Sequence, residues 1–284
     1  MRSRTLLVLS ALLALALSAC NLGATEVPPT ATEIVLPSET TAATLASTHT
    51  PDPTALAPTE TPEPSDTPAP LDTATPTPTA TEPPLAPEAE FGSPTLQDEM
   101  NNDGNWASTS GGLPNTANIL LAVGGGQLHV TAKQAGFDTW WFTWPTAGDQ
   151  FIQMTIDSGN CSDKAAYGLI LRGPSDVTLA RGYVVLLSCD GAYRLARLDS
   201  VSPYTLVDLI PWTDSERINA GAGQVNVLGV HAQGDVIRIY ANGFKVGEHE
   251  DDLYSTGRFG LFTNAGPATN FLWHLDQLLF WNLD

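Results

Sequence analysis

QVNVLGVHAQGDVIRIYANGFKVGEHEDDLYSTGRFGLFTNA, residues Gln224 to Ala265, carries the clearest period-two pattern in the chain. Val225 to His231 alternates, Gln233-Gly234 turns the chain, and Val236 to Ala241 alternates again. Asn242-Gly243 then supplies a two-residue hairpin whose backbone needs φ above zero, a conformation Asn and Gly tolerate. The segment reads as three strands of an antiparallel meander and the start of a fourth.

The same alternation spreads outward on both sides of this segment. Ile119 to Val123, Gln127 to Ala132, Thr139 to Trp144, Gln150 to Asp157, Ala166 to Arg172, Tyr183 to Ser188, Tyr193 to Leu198, Tyr204 to Leu209 and Phe271 to Trp281 are short runs separated by Gly and Asp, as at Gly124-Gly125-Gly126 and Asp190-Gly191. Such spacing, with no convincing amphipathic helix between the runs, predicts an all-β sandwich of two antiparallel sheets over residues 89–284. Of the 284 residues, only this carboxyl-terminal part has the apolar content to bury a core, so one domain is expected.

The Gln224–Ala265 stretch also resembles a known family. Its pattern N-x-L-x-V-x-x-x-G-x-x-I-x-x-Y-x-N-G, followed by G-x-x-G-L-F, is similar to the late strands of laminin-G-like and concanavalin A-like sandwiches. That superfamily includes lectins, glucanases and 3-keto-disaccharide hydrolase-like domains. The resemblance implies a jelly roll, with Phe91 to Trp106 and Phe271 to Trp281 as paired terminal strands. The chain before the head then enters near its carboxyl terminus.

The amino-terminal third reads as an address and a spacer. Arg2 and Arg4 precede the apolar run Leu6 to Leu17, the order of a secretory signal over residues 1–19 and too short for a membrane span. Leu17-Ser18-Ala19-Cys20 resembles the bacterial lipobox, which implies lipidation at Cys20, export and membrane anchoring at the bacterial cell surface; the alternative is an ordinary signal with an incidental cysteine. From Ala24 to Glu88 the chain holds 17 Thr and 15 Pro. Few groups there can form a core, so residues 20–88 are expected to be a disordered linker, open to O-glycosylation. As a flexible coil it would span roughly 45 Å, and as extended polyproline about 200 Å.

Charge excludes one class of partner. The net charge is −19, and residues 21–90 carry 11 acids with no Lys or Arg. Phosphate binding needs clustered cations, so no nucleic acid is expected. Self-repulsion favours a soluble species, expected to be a monomer. Cys161 and Cys189, in an exported protein, read as a disulfide, with free buried thiols as the alternative.

Sugar binding is the strongest functional expectation. In Thr139 to Trp144, Trp140, Phe142 and Trp144 share one side of a strand and Trp141 faces the other. Aromatic planes stack on sugar rings, though aromatic strands also build cores. Arg172, closing the run Tyr167-Gly168-Leu169-Ile170-Leu171-Arg172, must lie at a strand end, on an open face or against a carboxylate. Tyr183, Tyr193 and Arg194 extend the same expected surface, with Trp212 as its rim. The expected partner is a glycan or another cell-surface polymer.

Catalysis has a weaker basis. Glucanases of the resembled family carry Glu-x-Asp-x-Glu on one strand, which places a nucleophile and a proton donor on one face. No such motif occurs here, and no catalytic residue is assigned. Glu248 to Asp252 reads as a solvated turn. His129, His231, His249 and His274 lack metal-ligand spacing. Asp98, Asn101, Asp103 and Asp276 are candidates for a structural calcium ion, with turn formation as the alternative. Two readings stand beside glycan binding: a hydrolase or lyase of the 3-keto-disaccharide hydrolase-like type, and a structural or protein-interaction head.

Overall fold

The computed structural model describes residues 83–108, 111–142, 145–175, 179–199 and 204–284. The signal, Cys20, the linker up to residue 82 and Trp144 lie outside the described residues.

Among the described residues, fourteen strands follow one short helix. The helix α1 is Pro87–Phe91. The strands are β1 Leu96–Asp98, β2 Ile119–Gly124, β3 Gln127–Ala132, β4 Asp138–Phe142, β5 Gln150–Asp157, β6 Ala166–Gly173, β7 Gly182–Ser188, β8 Ala192–Asp199, β9 Thr205–Asp214, β10 Val225–Gln233, β11 Val236–Ala241, β12 Phe244–Glu250, β13 Arg258–Asn264 and β14 Phe271–Asn282. They form two antiparallel sheets. Sheet I runs β12-β11-β10-β5-β14-β3-β2, with β1 also on β14, and sheet II runs β4-β13-β6-β7-β8-β9. The all-β sandwich expected from alternation is the fold.

The meander forms as the sequence predicts. Asn242 and Gly243 have φ of 52° and 85°, the signs a two-residue hairpin needs, and Asn242 Oδ1 accepts from the Val227 amide at 2.7 Å. After β12 the chain leaves sheet I, and β13 pairs with β4 and β6 in sheet II. Glu248 to Asp252 is therefore not a solvated turn. Glu248 to Glu250 complete β12, and Asp251 accepts from Tyr183 Oη at 2.6 Å and from Arg197 Nη1 at 2.6 Å.

Between the sheets the inward residues of each strand interlock. Trp273 is fully buried, and its indole donates to Thr263 Oγ1 across the sandwich at 3.1 Å. Tyr167 accepts from Asn226 Nδ2 at 3.0 Å, and burial pushes its phenol up to about 12. Gly247 lets the Tyr193 ring approach, since a Cβ there would meet that ring at 2.7 Å. Cys161 and Cys189 form a disulfide with Cα atoms 5.3 Å apart. It closes a loop of 28 residues, worth roughly 3 to 4 kcal/mol in the chain-entropy account.

The two ends of the head lie together, as the resemblance implied. β14 has β5 along one side; on the other it carries β3 along its first half and β1 along its second, with Leu96 opposite Phe280. Upstream of β1, residues 83–92 form a strap over the outer face of sheet I. The Leu85 amide donates to Gly243 O at 2.7 Å, and Trp281 Nε1 donates to Gly92 O at 2.8 Å. Phe91 packs 5.2 Å from Phe151 and 5.1 Å from His231, ring to ring. Packing of the head thus starts before the compositional boundary at residues 88 and 89.

Candidate ligand-binding site

β4 divides its aromatics between two environments. Trp141 turns inward onto the main core, and its indole donates to Trp106 O at 2.8 Å. Trp140 and Phe142 face out from sheet II, where Phe142 joins Ile170, Val184, Leu186, Leu198 and Phe262 in a second apolar cluster. Trp140, Leu206 and Trp212 pack against the margin of that cluster.

This outer face is curled. Six flat strands would place the outermost two about 24 Å apart. Yet the Trp140 ring, on edge strand β4, stands 5.7 Å from that of Tyr204, which leads into the opposite edge strand β9. Trp140 is held flat against Phe262 on the neighbouring strand, with 5.9 Å between centroids and 15° between planes. Tyr204 is 53% exposed and Phe137 44% exposed, so apolar ring surface remains at the mouth.

Two hollows meet at Asp138. The larger, about 530 Å³, is lined by Asn118, Phe137, Asp138, Trp140, Tyr204 and Leu206 among others. The smaller, about 280 Å³, contains Asp138, Lys164, Arg194, Trp212 and Asn264. Asn264 Nδ2 donates to Asp138 Oδ1 at 2.6 Å, which fixes a carboxylate-amide pair between the hollows. Arg194 lies 5.8 Å over the Trp212 ring and pairs with Asp208 at 2.5 Å. Lys164 pairs with Asp190. The arrangement offers flat apolar surfaces beside donors and acceptors held in place, which suits a ligand with both C–H faces and hydroxyl groups.

The residues singled out from sequence separate into two groups. Trp140 and Trp212 flank one outer cluster. Arg172, Tyr183 and Tyr193 do not join them, being 1%, 0% and 7% exposed on the inner side of sheet II. Arg172 follows the strand-end expectation but serves the interior. Its Nε and Nη2 donate to Gly148 O at 3.2 and 3.0 Å, its Nη1 donates to Tyr254 O at 3.2 Å, and Asp149 stands 3.8 Å away. Tyr183 Oη accepts from the Tyr254 amide at 3.1 Å while donating to Asp251. Arg172 and Tyr183 brace one end of the sandwich, whereas Tyr193 stands opposite Leu187 toward the other end of the sheet.

Asp138, Tyr204 and Asn264 were not anticipated as site residues. Asp138 was within reach of the pattern, since it lies two residues before Trp140 and shares its face. Asn264 was not, because it arrives only through pairing of β13 with β4, where it stands opposite Asp138.

The calcium candidates form turns and cross-strand contacts. Asp98 accepts from the Met100 amide at 2.9 Å, Asn105 Nδ2 at 2.9 Å and Trp106 Nε1 at 3.0 Å. The Asp103 carbonyl accepts from the Trp106 and Ala107 amides, Asn101 is exposed, and Asp276 accepts from Gln127 at 2.8 Å. Among the described residues no three His, Cys, Asp or Glu side chains gather into a group that could hold a metal ion. Two histidines distant in sequence, His129 and His274, do meet across β3 and β14.

No protein-family model matches the chain, and no curated protein matches it. Solved structures do. A carbohydrate-binding module from Bacillus subtilis aligns at 17% identity, covering 59% of this chain and 91% of its own, with a TM-score of 0.44. A β-glucanase from Bacillus licheniformis aligns at 10% identity over 66% and 97%, TM-score 0.45. A Bacillus subtilis protein of galectin-like fold aligns at 9% identity over 68% and 97%, TM-score 0.47.

Proposed function

We propose that the head is a non-catalytic carbohydrate-binding domain, displayed from a bacterial membrane by lipid on Cys20 and a Thr/Pro-rich spacer. The observation that carries the binding reading is the curled outer face of sheet II. There Trp140, Tyr204 and Trp212 surround an apolar floor, and the Asp138–Asn264 pair stands between two hollows. A sugar ring lays its C–H face on an aromatic plane and exchanges hydroxyl hydrogen bonds with a neighbouring carboxylate and amide. The hollows share Asp138, so a ligand of two or more rings fits better than a single sugar.

Lipid display is supported by the order of the amino-terminal signals: basic residues, an apolar run, small residues, then Cys20. Several acyl chains at about 0.8 kcal/mol per CH₂ anchor stably. The test uses the full chain with Cys20→Ser. It partitions into the aqueous phase and binds members of an oligosaccharide array, and a further Trp140→Ala change removes that binding. A chain that retains glycans after Trp140→Ala loses the proposed site. Cleavage of 3-keto-disaccharides by the same preparation replaces a binding domain with an enzyme, and an empty array favours a protein-interaction head.

A further inference from the structure

The strap covers only part of the outer face of sheet I, around Phe151, Leu279 and Trp281. On the rest of that face, His129 of β3 and His274 of β14 are direct cross-strand partners, so both rings rise from the same side. Their Nδ1 atoms are 2.7 Å apart and the ring planes stand at 89°. His129 Nε2 lies 3.0 Å from Gly124 O.

Tautomers follow from that contact. A carbonyl only accepts, so Nε2 of His129 carries hydrogen, and Nδ1 of the neutral ring is a lone pair aimed at His274. His274 fills it with its own Nδ1–H. A ring whose far nitrogen donates to a backbone carbonyl, and whose near nitrogen is thereby directed, is how a metal-ligating histidine is held. The surroundings favour a cation. Asp157 is the cross-strand partner of His274 on β5, and Asp276 lies two residues along β14, with Gln127 donating to its carboxylate.

We propose that His129 and His274 form a two-imidazole site for a divalent transition-metal ion, best suited to copper(II). Imidazole nitrogens suit copper, which stands highest among the first-row divalent ions in affinity for such donors. The metal sits beside the Nδ1–Nδ1 line, bound by both nitrogens, and the hydrogen held between them moves to Nε2 of His274, so the neutral pair releases no net proton. With the two nitrogens cis at about 90°, bonds of about 2.0 to 2.1 Å place them roughly 2.8 to 3.0 Å apart, so the rings part by a few tenths of an ångström and tilt to aim both lone pairs at the ion. Both rings are half-buried, and water completes the coordination on the open side. This site is independent of the carbohydrate reading.

The test titrates Cu²⁺ into the full chain, purified without a histidine tag, by calorimetry and electron paramagnetic resonance. One ion binds per chain, with superhyperfine structure from two nitrogens, and Zn²⁺ binds more weakly. His129→Ala and His274→Ala each lower the affinity by more than about 10-fold, whereas His249→Ala retains it. In the unmutated chain, bound Cu²⁺ broadens the NMR signals of His129 and His274 first. Failure of the folded chain to bind Cu²⁺, binding that survives the double alanine variant, or broadening centred elsewhere overturns the proposal.

Discussion

The outer faces of the two sheets dispose of their aromatic residues in opposite ways. On sheet I, Phe151, Trp281 and Leu279 are roofed by the chain's own strap, with Leu85 and Phe91 packed on them. On sheet II, curling brings Trp140, Tyr204 and Trp212 around an apolar floor, and part of their ring surface stays open. A sandwich needs only its inner faces to form a core. What covers the outer face then separates a structural surface from a candidate binding surface.

Removing aromatics from each face should have different consequences. Trp281→Ala removes a buried ring and its hydrogen bond to Gly92 O. It should cost about 3 to 5 kcal/mol in urea unfolding and leave glycan affinity unchanged. Cys161→Ser with Cys189→Ser should cost roughly 3 to 4 kcal/mol, again without altering the affinity of folded protein. Trp140→Ala should reverse the pattern, losing at least about 2 kcal/mol of binding while destabilising less than Trp281→Ala.

A smaller effect belongs to the strap face alone. His231 is 6% exposed beside Phe91 and Phe151, and burial, aided by Arg238, lowers its pKa from the ordinary 6.5. The unfolded chain therefore binds the proton more readily than the folded one. Its contribution to stability is complete above about pH 6.5 and is lost as pH falls toward the folded value, at no more than about 1.4 kcal/mol per pH unit. His231→Phe should flatten that part of the profile in unfolding at pH 7.5 and 5.5. The smallest change is on sheet II, where Arg194→Gln breaks an exposed pair with Asp208 and should shift stability by under about 1 kcal/mol.

The contrast also marks what the sequence reveals. Period-two alternation places Trp140 and Trp141 on opposite faces, and Asn242-Gly243 marks its hairpin, because both are local consequences of backbone geometry. The inward turn of Tyr183 is written in its neighbours too, since it shares a face with Val185 and Leu187, which are core residues. Other features depend on pairing between distant strands. Asn264 reaches Asp138 across 126 positions and His129 meets His274 across 145, separations that no local period encodes. The strap was hidden by composition: Leu85 sits among prolines like the linker before it, and its hydrogen bond to Gly243 O and its packing on the outer cluster of sheet I distinguish it.

The most direct measurement follows the indole N–H resonances of the Cys20→Ser chain by NMR as an oligosaccharide selected on the array is added. Binding on sheet II predicts that Trp140 and Trp212 shift together while Trp273, in the core, and Trp281, under the strap, stay fixed. A shift confined to Trp281, or saturable binding that moves neither Trp140 nor Trp212, would place the ligand elsewhere and contradict the assignment of the curled face.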